Sequence, residues 1–223
     1  MKARALAIAA LVHASLLVLP LAALGRGRAL ASPNAVACVV ALVVLGTSEA
    51  WARKGVSDPS RFGAPGTRTA LVSAVGLLLT AWVAIGWPGA SPPLAASYTR
   101  GACAAGACAA AIGVLLRVVA IRTLGDAFTS ETVLAPGRPV VRHGVYGLLD
   151  HPSDVGLLLF AAGIVGLSSS VLALIPASTL VVPSTVARML REDRLLRGRS
   201  LAPRTAHESS RVPPSADPHV KIG

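Results

Sequence analysis

The chain has 223 residues, 53% of them hydrophobic and only 14% charged, which leaves too little polar surface for a water-soluble domain and fits an integral membrane protein. A formal charge of +11 would suit a nucleic-acid partner if the basic residues gathered on a soluble module. They stand instead at the ends of apolar runs and in the last third, where orientation in a membrane accounts for them, so no nucleic-acid partner is expected.

The expected architecture is all-α, a polytopic transmembrane helical bundle of about five to six spans with a C-terminal helical hairpin. Lys2 and Arg4 precede an apolar run, Ala5 to Leu24, of roughly the twenty residues that cross a bilayer. Ala29-Leu30-Ala31 resembles a signal-peptide cleavage site. The length of the apolar core, with Arg26 and Arg28 before that site, favours a retained first span. Pro20 would kink or end it late. His13, midway along it, reads either as a functional intramembrane group or as an internally bonded packing residue. The second span runs from about Ala35 to Ala50 after the start signal Ser32-Pro33-Asn34, with Glu49 read as interfacial and Trp51 as an interface anchor.

A basic loop with Arg53, Lys54, Arg61 and Arg68 leads to a third span, about Thr69 to Trp87, and the connection Pro88 to Thr99 carries no charge. The fourth span, about Arg100 to Val119, is rich in Ala and Gly. Its Cys103 and Cys108, with Cys38, have neither metal-cluster nor redox spacing and read as packing thiols. After a polar stretch, Leu124 to Gly156, a hairpin is expected with arms Val155 to Leu167 and Val171 to Val186, turning at Ser168-Ser169-Ser170. Both arms are short for a perpendicular crossing, and Pro176 and Pro183 point to irregular backbone lining a pocket. The chain thus divides into N-terminal transmembrane helices (1–116), a region holding the polar stretch and the helical hairpin (117–199) and a Pro/Ser-rich tail (200–223) expected to be disordered.

With six crossings, Lys2 and Arg4, the loop after span two, the polar stretch and the C-terminal arginines fall on one side. Only Arg26, Arg28 and Arg100 fall on the other. The positive-inside rule then puts both termini and the polar stretch in the cytoplasm, in a multi-pass protein of the cytoplasmic membrane.

The polar stretch gathers His143, His151, Asp126, Glu131, Asp150 and Asp154, punctuated by Gly and Pro. A site is expected there. Within it, Gly144-Val145-Tyr146 is followed by Asp150-His151-Pro152-Ser153-Asp154-Val155-Gly156, then the apolar hairpin and Glu192-Asp193. This order resembles the C-terminal half of the isoprenylcysteine carboxyl methyltransferase and phospholipid methyltransferase superfamily, whose pattern is G-x-Y, R-H-P-x-Y-x-G, an apolar hairpin and E-E. Leu124-Gly125 with Phe128-Thr129 is similar to the family's preceding segment.

The resemblance implies S-adenosylmethionine as cofactor and a lipophilic small molecule or lipidated substrate as acceptor. It implies that Tyr146, His151, Pro152 and Glu192 bind the cofactor, with Asp150, Asp154 and Arg142 as the candidates for a catalytic part. Four departures stand out: Asp150 replaces the family's Arg, Asp154 its Tyr, Asp193 its second Glu, and Gly198, Arg199 and the Pro-rich tail replace an aromatic segment. They keep a non-catalytic protein on the same scaffold as the alternative. A small transporter is a weaker one, because the charges collect at one membrane face. From the residues alone, Glu192 could pair with Arg188 one turn away, and Asp150 and Asp154 could simply favour the N-terminus of the following helix. His143 reads as interfacial, and no metal site is expected. If the acceptor is a carboxylate, transfer removes an anion and a cation together, which a water-poor pocket favours without an acid/base pair.

Overall fold

The computed structural model describes residues 2–52, 65–87, 96–125 and 142–201. The basic residues Arg53, Lys54 and Arg61, the connection from Pro88, the residues Asp126, Phe128, Thr129, Glu131 and Arg138, and the expected disordered tail beyond Leu201 lie outside them. The described residues are almost all helical, with no strand among them: α1 (Lys2–Ala23), α2 (Pro33–Ala52), α3 (Pro65–Gly86), α4 (Ala96–Leu124) and α5 (Pro152–Ser168). A last helical run follows, made of a 3-10 turn (Val171–Ala173), α6 (Leu174–Pro176), a π-helical turn (Ala177–Val181) and α7 (Val182–Leu201). Among the described residues five segments are long and apolar enough to cross a membrane: Leu6–Ala23, Pro33–Ala52, Arg68–Gly86, Arg100–Leu124 and Val171–Arg197. α5 is apolar but shorter; at 1.5 Å per residue its 17 residues rise about 25 Å.

Cross-helix contacts fix which ends lie together. The Trp82 indole donates to Leu16 O (3.0 Å), and Arg26 lies over the Trp87 ring (4.9 Å), so the end of α3 meets the turn after α1. At the opposite end Arg122 of α4 lies over Trp51 of α2 (3.5 Å), consistent with the anchoring role expected for Trp51. Ser73 of α3 shares a hydrogen bond with Ser184 of α7 (2.7 Å), and Ser170, ahead of the last helical run, donates from Oγ to Trp87 O (3.4 Å), so that run is antiparallel to α3.

α4 and α5 are pressed together along a seam of small residues. A Cβ at Gly113 would sit 2.6 Å from Gly156 O and 2.7 Å from Phe160 N, one at Gly163 would meet Ala110, and one at Gly106 would meet the backbone of Gly166 and Leu167. Only glycine allows two helix backbones this close. Around the seam Leu17, Leu21, Phe160, Ile164 and Val181 are fully buried, while Leu11, Leu19, Leu71 and Leu115 face outward, as a lipid-facing surface requires.

The expected hairpin is present, but its second arm runs well past Val186. Ser169, in the left-handed region at φ 51°, turns the chain, Ser168 Oγ accepts from Ser170 N (3.2 Å), and a single helical run then continues to Leu201. Proline removes a backbone donor and crowds the carbonyl a turn earlier. The π turn between Pro176 and Pro183 takes up that misfit without breaking the helix. His13 proves a packing residue, bonded to Ala9 O (2.7 Å) and lying against Gly46. Of the thiols expected to pack, Cys38 is buried and Cys103 half-buried, but Cys108 is exposed, because its helix turns that face away from the bundle.

Candidate functional site

The glycine seam sets the height of α5 against α4, and this brings Arg117 to the first turn of α5. Its Nη1 donates to Ser153 O (3.1 Å) and Ser153 Oγ (2.9 Å). Its Nε is bonded to the Glu49 carboxylate of α2. The pair is deeply sheltered, with side chains 8% and 18% exposed. Glu49 is thus tertiary in its role and not merely interfacial.

Ahead of α5, a 3-10 turn (Gly144–Gly147) carries Tyr146; Gly144 opens it at φ +59°, a conformation that favours glycine. Burial, with the negative charges of Glu192 and Asp154, pushes the Tyr146 phenol far above its usual range against the opposing pull of Arg188 and Arg117. It therefore stays protonated, a hydrogen-bond donor held in the field of both acids.

His151 caps α5, with Pro152 at its first position, a placement proline tolerates because that N–H has no helical partner. Its ring turns away from its own helix to α7, where Nδ1 lies 3.4 Å from Glu192 Oε2 and Nε2 lies 2.9 Å from Asp193 Oδ1. The hydrogen bond to Glu192, aided by Asp193 and opposed by burial, raises its pKa to about 9. The ring is therefore an imidazolium at neutral pH, donating from both nitrogens. Asp193, shorter by a methylene than the family's Glu, still reaches it.

Asp154, in the first turn of α5, is 2% exposed and faces Arg188 Nε at 3.6 Å. Its Oδ1 has no hydrogen-bond partner, and neither does Thr185 Oγ1, buried one turn before Arg188 on α7. Asp154 thus does more than favour a helix N-terminus. Arg188, read from sequence as a partner one turn from Glu192, pairs across the hairpin with Asp154, leaving Glu192 to His151.

Of the residues expected at the site, Tyr146, His151, Asp154 and Glu192 converge, with Pro152 buried beneath them. Asp150, Arg142 and His143 are exposed and do not join the cluster. Arg117, Glu49, Ser153, Arg188 and Asp193 do join it. One atom each from His151, Asp154 and Glu192 lie within 4.8 Å of one another, a metal-like spacing. Each of the three is engaged in an ion pair, Asp154 with Arg188 and Glu192 with His151, and those pairs draw the atoms together.

Compared with known proteins, residues 106–197 match the model of the isoprenylcysteine carboxyl methyltransferase family. Searches of curated proteins and of solved structures give no match. The matched region takes in Arg117, Tyr146, His151, Asp154, Arg188, Glu192 and Asp193 and leaves out Glu49. The family resemblance of the ordered motifs thus holds over residues 106–197, a methyltransferase-like region, and five helices among the described residues are able to cross a membrane.

Proposed function

We propose that the chain is an integral-membrane methyltransferase that takes its methyl group from S-adenosylmethionine and gives it to a lipophilic acceptor at the cytoplasmic face. The observation that carries this reading is the charge balance of the cluster. Arg117, His151 and Arg188 face Glu49, Asp154, Glu192 and Asp193, three cations against four carboxylates. Among these seven groups the excess is one negative charge. A sulfonium amino acid, with two positive groups and one carboxylate, has the complementary net charge. The donor set fits as well: Glu192 and Asp193 are part-exposed acceptors for an ammonium, the imidazolium of His151 and the Tyr146 hydroxyl are donors for a carboxylate or a ribose, and Asp154 Oδ1 is an acceptor in want of a donor.

S-adenosylmethionine, when bound, supplies an electrophilic methyl group on a cationic sulfur. What this chain contributes is position and exclusion of water. The buried Arg117 holds Ser153, and with it the start of α5. The imidazolium of His151 ties that start to α7, so the groups that bind the cofactor share one rigid frame. An in-line approach in a site of low water content lowers the barrier without a dedicated base when the acceptor is already an anion.

The alternative of a non-catalytic protein on this scaffold has one specific observation behind it. Asp150 stands exposed, outside the cluster, where the family carries Arg. Calorimetric titration of the purified protein in detergent with S-adenosylmethionine and with its demethylated product separates the two readings. Micromolar to sub-millimolar binding is expected; a well-folded protein that binds neither at millimolar ligand would establish the non-catalytic reading. Reporter fusions after Arg68 and Arg142 should report cytoplasmic and one within Pro88 to Thr99 external, and the reverse pattern would move the site to the other face.

A further inference from the structure

The ion pairs between α5 and α7 form a ladder. His151 meets Glu192, and Asp154, three residues further along α5, meets Arg188, four residues back along α7. One more helical step back along the same face of α7 reaches Thr185, level with Leu157 of α5. Thr185 is fully buried and Asp154 is 2% exposed. Among the described residues neither Thr185 Oγ1 nor Asp154 Oδ1 has a hydrogen-bond partner. Beyond this rung Leu157, Phe160, Ile164 and Val181 are all buried, so the polar ladder ends in two unanswered oxygens against an apolar interior.

A buried oxygen without a partner destabilises a fold and calls for an explanation. Two of them at neighbouring rungs fit a ligand group that answers both. An ammonium is disfavoured, because the charge of Asp154 is already met by Arg188 and by the field of Arg117. A carboxylate would set acceptor against acceptor at Asp154 Oδ1. A hydroxyl matches both atoms, since it donates to Asp154 Oδ1 and accepts from the Thr185 hydroxyl.

On the methyl-transfer reading, which this step presupposes, we infer that the acceptor is a lipophilic phenol whose hydroxyl lies between Asp154 and Thr185, with Asp154 as its general base. The phenol oxygen bonds to the methyl carbon as the carbon–sulfur bond breaks, the electron pair of that bond stays on sulfur, and the hydroxyl proton passes to Asp154 Oδ1. The products are an aryl methyl ether, a neutral thioether and a carboxyl group that returns its proton to water once the ether leaves. A neutral acceptor needs such a base, because an oxygen that kept its proton would become an oxonium ion. A phenol, with a pKa of about 10, is within reach of a carboxylate base. An aliphatic hydroxyl, close to water at about 15.7, is too weak an acid for it. The apolar surroundings of the rung suit an aryl ring.

The test uses the full chain in detergent, with meta-pentadecylphenol and two acceptors of the same shape, meta-pentadecylbenzoate and meta-pentadecylaniline. Wild type should methylate the phenol at least about tenfold faster than the other two, as read by mass spectrometry of the products. Asp154→Asn, which keeps the shape and removes the base, should lower kcat on the phenol about a hundredfold or more. Thr185→Val should lower kcat/KM roughly fivefold to tenfold, the effect of one hydrogen bond, and Thr185→Ser should restore it. A second readout needs no cofactor: with no partner in the fold to lose, Thr185→Val should unfold at the wild-type midpoint or above it. A lower midpoint would show that the hydroxyl serves the fold and would overturn the subsite. Cofactor binding with faster transfer to the benzoate or the aniline, or with transfer to none of the three, would overturn the phenol and leave the methyltransferase reading standing, as would an Asp154→Asn protein of wild-type activity. A wild type that neither binds S-adenosylmethionine by calorimetry nor methylates any of the three would refute that reading, and the acceptor with it.

Discussion

Removing Glu49 is the most informative single perturbation, because it lies outside the matched region yet is bonded to the arginine that anchors α5. Glu49→Leu takes from the Arg117 guanidinium, 8% exposed, its bonded carboxylate and leaves it only Ser153 and the field of Asp154. Breaking such a pair from one side costs about 3 to 5 kcal/mol. Glu49→Gln keeps an acceptor for Nε and should cost about half as much, since a bond to a charged group contributes about 1.5 to 3 kcal/mol. Arg117→Leu takes the bonded cation from Glu49 and also frees Ser153, so it should cost about as much as Glu49→Leu. In the double variant both charges are gone, and the loss should fall well short of the sum of the single losses, with a coupling of about 2 to 3 kcal/mol. The assay is reversible unfolding in mixed micelles by denaturing-detergent titration, followed by helical circular dichroism. A loss below about 1 kcal/mol for Glu49→Leu, or losses that simply add in the double variant, would refute the reasoning, because a solvated pair behaves that way.

Because the folded pKa of His151 lies above its unfolded value, the stability it contributes should be complete below about pH 6.5 and disappear as pH rises through about 9; ring titration by NMR near 6.5 would contradict the ion-pair geometry. His151→Ala and Glu192→Gln should each weaken S-adenosylmethionine binding by about 1.5 to 3 kcal/mol, read by calorimetry at neutral pH, and unchanged affinity in both would remove them from the cofactor site. Asp150→Arg restores the family residue at an exposed position; if the site is built for a neutral or cationic acceptor, methyl transfer to a prenylated-cysteine carboxylate should not rise. A clear gain in that assay, with no wild-type activity on amines, would show that a cation had simply been lost. Gly113→Leu should force α4 from α5 and lower the unfolding midpoint, at a cost of about 1 to 3 kcal/mol or more; a wild-type midpoint would mean the seam is looser than its contacts indicate.

The helices were legible from hydropathy because a bilayer imposes length and apolarity directly on sequence. The ordered motif from Tyr146 through His151 to Glu192 located the charge cluster for a different reason, since its spacing is kept by a local turn, a helix cap and a hairpin. Partners contributed by distant helices were not legible. Glu49 is one of the few acids near the end of an apolar run, and Arg117 interrupts Val114 to Val119, so each was visible as an oddity. An intramembrane charge deserves a functional reading by default. Nothing local says that the two meet, because that depends on the lateral placement of α2 beside α4. Arg188 misled for the same reason: spacing along one helix favoured Glu192, and the geometry between helices gave it Asp154. Asp150 remained ambiguous because its neighbours in sequence belong to the site while its own side chain points out.

The π turn at Ala177–Val181 adds a residue's worth of phase to the last helical run. In an α-helix each residue advances roughly 100° around the axis, so the angular setting of everything beyond the turn depends on its residue count. Arg188, Glu192 and Asp193 all lie beyond it. Deleting Thr179, an exposed residue, would leave the apolar character of the run almost untouched while rotating that whole acidic and basic face away from Asp154 and His151. The two prolines that bracket the turn thus act as a clocking device, fixing the azimuth at which one end of the molecule presents its charges to the other helices.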